Sequence, residues 1–351
     1  MRALRLLSLA LLLQIGAASA EDAPFAPLHD AIEAGDHGPI VALVVERGGE
    51  VVFEHRYRAG SARRPQPKRD PALHDIRSAG KSITALAVGA AIADGALASV
   101  EVPVWPLLGV DEPGAYAQIT VRDLLVMGSA LQCSDDDPKS PGNEERMYRT
   151  RRWRDFALAI PLDASFGRNE QGVGRWSYCT AGVFLLGQVV EAVTGEAFDA
   201  FVQRRLFDPL GIESVVWNRS RSGEVQSGGQ LEIAAVDVTK LGRLVLNRGR
   251  WGEARVVPEA WIEEMLRPIR RNGPVGYGYL WWLRGMPSPG GTALGWGMQG
   301  NGGNLVVAFA ALDTVVTVQS AAYNTPGAHE RSYGIVQEVL ALMAATAPEG
   351  P

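Results

Sequence analysis

The chain has 351 residues, 46% of them apolar and 21% charged, with 40 glycines. That is ordinary globular composition, which excludes a disordered, collagen-like or coiled-coil protein. Its 34 basic and 39 acidic side chains give a net charge of −5, and no run of Lys or Arg stands out. A nucleic-acid partner is therefore disfavoured, and a small-molecule substrate is the better expectation.

Residues 1–20 read as a cleaved export signal. Arg2 and Arg5 form a short positive region, and Ala18-Ser19-Ala20 is a small-x-small cleavage site. Between them, Leu6 to Ile15 is apolar but too short to span a bilayer as a helix. Cleavage after Ala20 takes the charge from −5 to −7 and predicts a periplasmic or secreted protein with no stable membrane anchor. The two cysteines, Cys133 and Cys179, both lie in the mature part. Export makes a disulfide between them plausible, with two separate buried thiols as the alternative. The histidines at 29, 37, 55, 74 and 329 show no zinc-ligand spacing, so no metal is expected.

In chain order, Pro39 to Arg47 and Glu50 to Tyr57 form a hairpin about Gly48-Gly49. Arg58 to Asp75 is a polar, proline-containing surface connection. Ser78 to Ala93 is a buried helix, Thr120 to Met127 a short one, and Gly182 to Thr194 a longer apolar one ended by Gly195. Asp135 to Glu145 is a charged loop whose aspartates suggest Ca²⁺, but the EF-hand spacing and glycine are missing, which favours a solvated loop. Asp237 to Leu246 and Pro258 to Leu266 are helical, and Tyr277 to Leu283, Gly303 to Ala311 and Thr314 to Ala321 are successive antiparallel strands. Arg331 to Ala345 is a closing helix. The order predicts an α+β fold in one domain over 21–351. Its sheet part comes from about 21–105 and 275–351, its helical subdomain from about 106–274, and a cleft lies where they meet.

There is no G-x-S-x-G elbow. Gly80-Lys81-Ser82 mimics the tail of a phosphate-binding loop, but that motif needs glycine at 75, where the chain has Asp75. What remains is Ser78-Ala79-Gly80-Lys81, an S-x-x-K at the head of an apolar helix. Three residues is nearly one turn, so hydroxyl and amine share a face. Serine needs a base to become a nucleophile, and a buried lysine can serve. The Ser78 backbone N–H at a helix start also suits an oxyanion.

The stretch His74-Asp75-Ile76-Arg77-Ser78-Ala79-Gly80-Lys81-Ser82 resembles the nucleophile helix of the serine β-lactamase/penicillin-binding protein superfamily, in particular its class C β-lactamase-like esterases. Trp176-Ser177-Tyr178-Cys179-Thr180, leading into an apolar helix, resembles the second motif, usually Tyr-x-Asn. Gly300-Asn301-Gly302-Gly303-Asn304, opening a strand, resembles the third, usually Lys/His-x-Gly. Ile119 to Leu125 and Pro258-Glu259-Ala260-Trp261 also look like the family. The resemblance spans roughly residues 25 to 345. It implies a β-lactamase/DD-peptidase-like fold, an antiparallel sheet flanked by helices. It also implies an acyl-enzyme on Ser78, Lys81 as base, Tyr178 as proton relay and no cofactor. The Ser78 and Asn304 backbone N–H groups would form the oxyanion hole, and Thr180, Asn301, Gly302 and Gly303 would contact substrate.

Two departures bear on substrate. Thr180 stands where the family usually has Asn, and Asn301 where Lys or His usually grips a carboxylate. No E-x-x-L-N segment supplies a glutamate-activated water. Trp176, Tyr279, Trp282 and Trp296 are candidates to line an apolar acyl or alcohol pocket. The expectation is a serine hydrolase acting on small esters or amides. A β-lactamase or D-Ala-D-Ala carboxypeptidase is the alternative, and a non-catalytic cell-wall peptide-binding protein the second.

Overall fold

The computed structural model describes residues 23–57, 70–163 and 167–345. The expected export signal and most of the polar connection after Tyr57 lie outside them. An antiparallel sheet of eight strands organises the described residues. The strands are β1 (Ile40–Arg47), β2 (Glu50–Arg56), β3 (Arg270–Asn272), β4 (Val275–Tyr277), β5 (Trp282–Ser288), β6 (Gly291–Gly300), β7 (Asn304–Phe309) and β8 (Thr314–Ser320). Their spatial order is β2-β1-β8-β7-β6-β5-β4-β3, so the two ends of the chain meet at the β1–β8 pair.

Every residue of β8 is buried, because both faces of the sheet are covered there. Val316 and Val318 pack with Leu43, Val45, Leu305 and Val307 beneath two helices, α1 (Ala26–Ala34) and the closing helix α5 (Ala328–Ala345). On the other face, α4 (Ala235–Leu246) lies on β8. Gly242 lets it approach, since a Cβ there would stand 2.6 Å from Val315 Cγ1, and Thr239 Oγ1 meets Thr317 Oγ1 at 2.6 Å. The central helices are α2 (Lys81–Ala93) and α3 (Thr180–Thr194), each buried along most of its length. Both are predominantly apolar, as an enclosed helix is. Among the described residues no single helix is long and apolar enough to cross a membrane.

The helices, the β1–β2 hairpin and the last two strands follow the sequence pattern closely. Short elements such as the helix Trp153–Leu158 and strand β3 were not expected, and three further places differ. Helix α1 carried no recognised signal. Tyr277 to Leu283 is not one strand: residues 278–281 are the turn between β4 and β5, with Leu280 at φ 58°. Strand β6 was missed because its run Gly291-Thr292-Ala293-Leu294-Gly295-Trp296-Gly297 has too many glycines to look β-forming.

Candidate active site

Ser78 sits in a single 3₁₀ turn, Arg77–Gly80, and the α-helix proper begins at Lys81. Arg77 holds a left-handed φ of 54°, a strained conformation of the kind that collects at functional sites. It is fixed from both sides: its N–H donates to Asp75 Oδ1 at 2.9 Å, and its carbonyl accepts from Gln230 N at 3.2 Å. Gly229 makes this possible. A Cβ there would lie 2.8 Å from the Arg77 carbonyl oxygen, and its φ of 140° excludes other residues.

Lys81 is 2% exposed, yet among the described residues no carboxylate is within hydrogen-bond reach of its amine. Its Nζ lies 2.9 Å from Ser78 Oγ, 2.8 Å from Thr180 Oγ1 and 2.7 Å from the Gly228 carbonyl oxygen. The Tyr178 ring flanks the same atom, with its centroid 5.0 Å away. A deprotonated amine would give its two N–H bonds to Thr180 and Gly228 and keep its lone pair for the Ser78 proton. That is the donor count a serine's base requires.

Tyr178 lies in the irregular segment just before α3, which backbone bonds hold in place. Its carbonyl accepts from Asp135 N at 2.9 Å, and Ser177 N donates to Met127 O at 2.9 Å. Cys179 is bonded to Cys133, with the two Cα atoms 5.4 Å apart. The bridge therefore ties the Tyr178 segment to the loop that begins at Cys133. In that loop Asp135 accepts from Thr180 N at 2.7 Å and from Glu144 N at 3.1 Å. Burial pushes its carboxyl up to about 6, with Glu144 adding to the rise and Lys81 and the Thr180 bonds opposing it. Asp135 was missed as a site residue because its loop looked merely solvated. Gly228 was missed because it acts through a carbonyl.

A family model for beta-lactamase matches residues 28–340. The chain belongs to the beta-lactamase family. Among its relatives, 6-aminohexanoate-dimer hydrolase of Paenarthrobacter ureafaciens is 26% identical over 260 residues, covering 70% of this chain and 64% of that protein. N-acetylmuramyl-L-alanine amidase of Bacillus subtilis (strain 168) is 26% identical over 201 residues, covering 53% and 44% respectively. The chain thus spans less than two thirds of the length of either relative. Solved structures share the fold. A penicillin binding protein from Bacillus halodurans aligns with a TM-score of 0.67 at 20% identity, over 88% of this chain and 99% of that one. A class C beta lactamase from Rhodobacter sphaeroides aligns with 0.64 at 18%, over 91% and 100%.

In this beta-lactamase-family chain the third motif is arranged differently from the expectation. Gly300 ends β6, Asn304 opens β7, and residues 301–303 are the turn between them. The backbone that touches the nucleophile turn is that of Gly300, where a Cβ would fall 1.9 Å from Ile76 O and 3.0 Å from Ala79 N. Asn304 is one strand further away. Its side chain is spent on His74 Nε2 and Ser320 N, both at 3.1 Å. The β-strand backbone that closely approaches the nucleophile turn is thus the Gly300 end of β6, where the sequence suggested Asn304. Gly302 and Gly303 have φ of 90° and 85°, and their close approaches are to Tyr323 and to Ala328 and Ser332, not to the nucleophile. The Asn301 amide binds Asn324 in both directions, at 2.6 and 2.8 Å. Thr180, 1% exposed, holds Lys81 rather than facing substrate.

The aromatic expectation divides in two. Trp176 and Trp282 do stand beside Tyr178, with ring centroids 6.2 and 6.4 Å from it, and Tyr277 joins them at 4.9 Å from Trp176 and 4.7 Å from Trp282. Tyr279 is fully buried and donates to Glu264 Oε1 at 2.9 Å. Trp296 lies on a separate groove of about 1010 Å³ beside Leu294 and Leu312.

Proposed function

We propose that the protein is an exported serine hydrolase that forms an acyl-enzyme on Ser78 from small uncharged esters or amides. The observation that carries this reading is the buried Lys81 amine, 2.9 Å from Ser78 Oγ and bonded otherwise, among the described residues, to the neutral oxygens of Thr180 and Gly228. Ser78 gives its proton to Lys81 as its oxygen bonds to the carbonyl carbon. The carbonyl oxygen then carries the negative charge, faced by the Ser78 N–H and the strand end at Gly300. Collapse breaks the bond to the leaving group, which takes the proton from Lys81 by way of Tyr178. Water attacks the acyl-enzyme, its proton returns by the same route, and the carboxylic acid departs with Ser78 restored.

The substrate class rests on what surrounds the nucleophile. Trp176, Tyr178, Tyr277 and Trp282 offer an apolar wall. The nearby arginines are engaged: Arg77 pairs with Asp75 and covers the Tyr323 ring, and Arg270 donates to the Val126 and Gly174 carbonyls. With Asn301 turned to Asn324, a substrate carboxylate would trade a charge-assisted bond of roughly 1.5–3 kcal/mol for a neutral one of about 1. A relative named as a hydrolase of 6-aminohexanoate dimer is consistent with amides as well as esters.

The test is kcat/KM for p-nitrophenyl butyrate against nitrocefin under one set of conditions, with a fluorophosphonate to label the nucleophile. The ester should be turned over far better, and the label should sit on Ser78. Nitrocefin faster by tenfold or more would instead make the protein a β-lactamase. No label on Ser78 would favour a binding protein.

A further inference from the structure

We propose a transition-metal site of the Zn²⁺ class at the β2 edge of the sheet, built from His29, Glu33 and His55 and independent of the Ser78 chemistry. His29 and Glu33 are four residues apart in α1 and so share one face of it. His55 lies on β2, the edge strand, on the same face as Phe53 and Tyr57. Packing of α1 over that edge brings one ligand atom from each residue within 4.8 Å of the others. His55 Nε2 already stands 3.2 Å from Glu33 Oε1, and the two imidazoles meet edge to face with centroids 4.4 Å apart.

Tetrahedral ligands about 2.0–2.1 Å from zinc are roughly 3.3 Å from one another. Small side-chain rotations reach that spacing, since Glu33 is exposed and both histidines are only partly covered. A second observation points the same way. His29 Nδ1 and the Tyr57 hydroxyl are both buried without a hydrogen-bond partner among the described residues. The Tyr57 ring lies 4.7 Å from His55 and 5.7 Å from His29. A bound ion would leave one imidazole nitrogen of His29 to coordinate and the other to solvent or chain, and its fourth ligand, a water, would find the Tyr57 hydroxyl. Two imidazoles and one carboxylate suit Zn²⁺, Cu²⁺ or Ni²⁺ and not Ca²⁺ or Mg²⁺. Held so, α1 would be pinned to a strand edge that is otherwise open to pairing. The sequence hid the site because its third ligand arrives through the fold, 22 residues after the second.

The test uses tag-free protein and Zn²⁺ alone, by titration calorimetry and thermal unfolding. The wild type should bind one equivalent, and its melting temperature should rise by roughly 3–6 °C at a hundredfold excess over Kd. His29→Gln and His55→Gln should each weaken binding by at least about tenfold and remove that rise, while Glu33→Gln weakens it less. His37→Gln, beside Glu338 and outside the cluster, should change nothing. Unchanged fluorophosphonate labelling and melting temperature without metal will show that each variant is folded. No stoichiometric binding by the wild type, or binding that survives His55→Gln in folded protein, would overturn the site.

Discussion

Among the described residues two basic side chains are buried, Arg243 and Lys81, and they are satisfied in opposite ways. Arg243, on α4, is 6% exposed and grips Glu46 through two bonds, Nε to Oε2 at 2.7 Å and Nη2 to Oε1 at 2.8 Å, with Asp313 as a third partner. Burial alone would lower its pKa, but the bonds to Glu46 and Asp313 hold it above its usual value. Lys81 is more deeply buried and has two hydroxyls and a carbonyl instead. A cation locked to carboxylates has no proton to exchange and can only hold structure. An amine among neutral oxygens, one of them a serine hydroxyl, can take a proton and give it back. Deletion of each partner should therefore damage different properties.

The largest effects belong to the Ser78–Lys81 pair. Ser78→Ala should abolish labelling and turnover. Lys81→Met and Tyr178→Phe should each lower kcat by about 10²–10⁴-fold, the range of a lost proton-transfer group. Yet Lys81→Met should stay within about 2 kcal/mol of wild-type stability, because it leaves only neutral groups unpaired. Ester turnover and urea unfolding on the same samples decide it. Full activity in Ser78→Ala would end the acyl-enzyme proposal.

Glu46→Gln should do the reverse. It leaves a buried guanidinium without its bidentate partner, a change that typically removes about 3–5 kcal/mol, while kcat stays within about twofold. A stable variant with reduced activity would mean that the two cations are not separate systems. The Cys133–Cys179 bridge comes next, as it closes a loop of sequence separation 46. Its reduction, or a double change to Ser, should cost roughly 3–4 kcal/mol in the chain-entropy model. It should also lower kcat, since the bridge braces the segment that carries Tyr178. Equal midpoints with and without reductant would contradict this.

The contrast also shows what the sequence could carry. Ser78 and Lys81 are legible because one helical turn brings them together, and Tyr178 because it precedes an apolar helix in a resembling pattern. Their partners are not legible. Gly228 acts through a backbone oxygen, and Gly229 and Gly300 through the absence of a Cβ, so none shows its role in side-chain chemistry. Glu46 and Arg243 are 197 residues apart and each looks like a surface charge until the β1–α4 packing joins them. In the third motif, Gly300-Asn301-Gly302-Gly303-Asn304 has the composition of a strand that approaches a nucleophile. The hairpin turn divides it, so only its first residue does so. The residues to which the proposal gives the chemistry are readable, and those that place them depend on tertiary approach.

Asp135 is the carboxylate that acts on Lys81 most indirectly, and its effect should be the smallest. Its acceptor Oδ2 bonds Thr180 N, and Thr180 Oγ1 bonds Lys81. Burial raises its pKa from an ordinary value of 3.8 to about 6, so the folded protein takes up a proton here before the unfolded chain does. The sign is the reverse of a salt-bridged acid: this group adds stability as the pH falls from about 6 to about 4. Catalysis should move the other way. When Ser78 gives its proton to Lys81, a positive charge appears that ionised Asp135 stabilises and protonated Asp135 does not. Wild-type kcat/KM should therefore decline by roughly 2–10-fold below about pH 6, the scale of a charge acting across an intervening residue. Asp135→Asn should lack that limb, with the lower rate at every pH, while Ser78 still takes the label. A profile identical in the two proteins would mean that Asp135 only holds Thr180 in place and that its charge does not reach the amine.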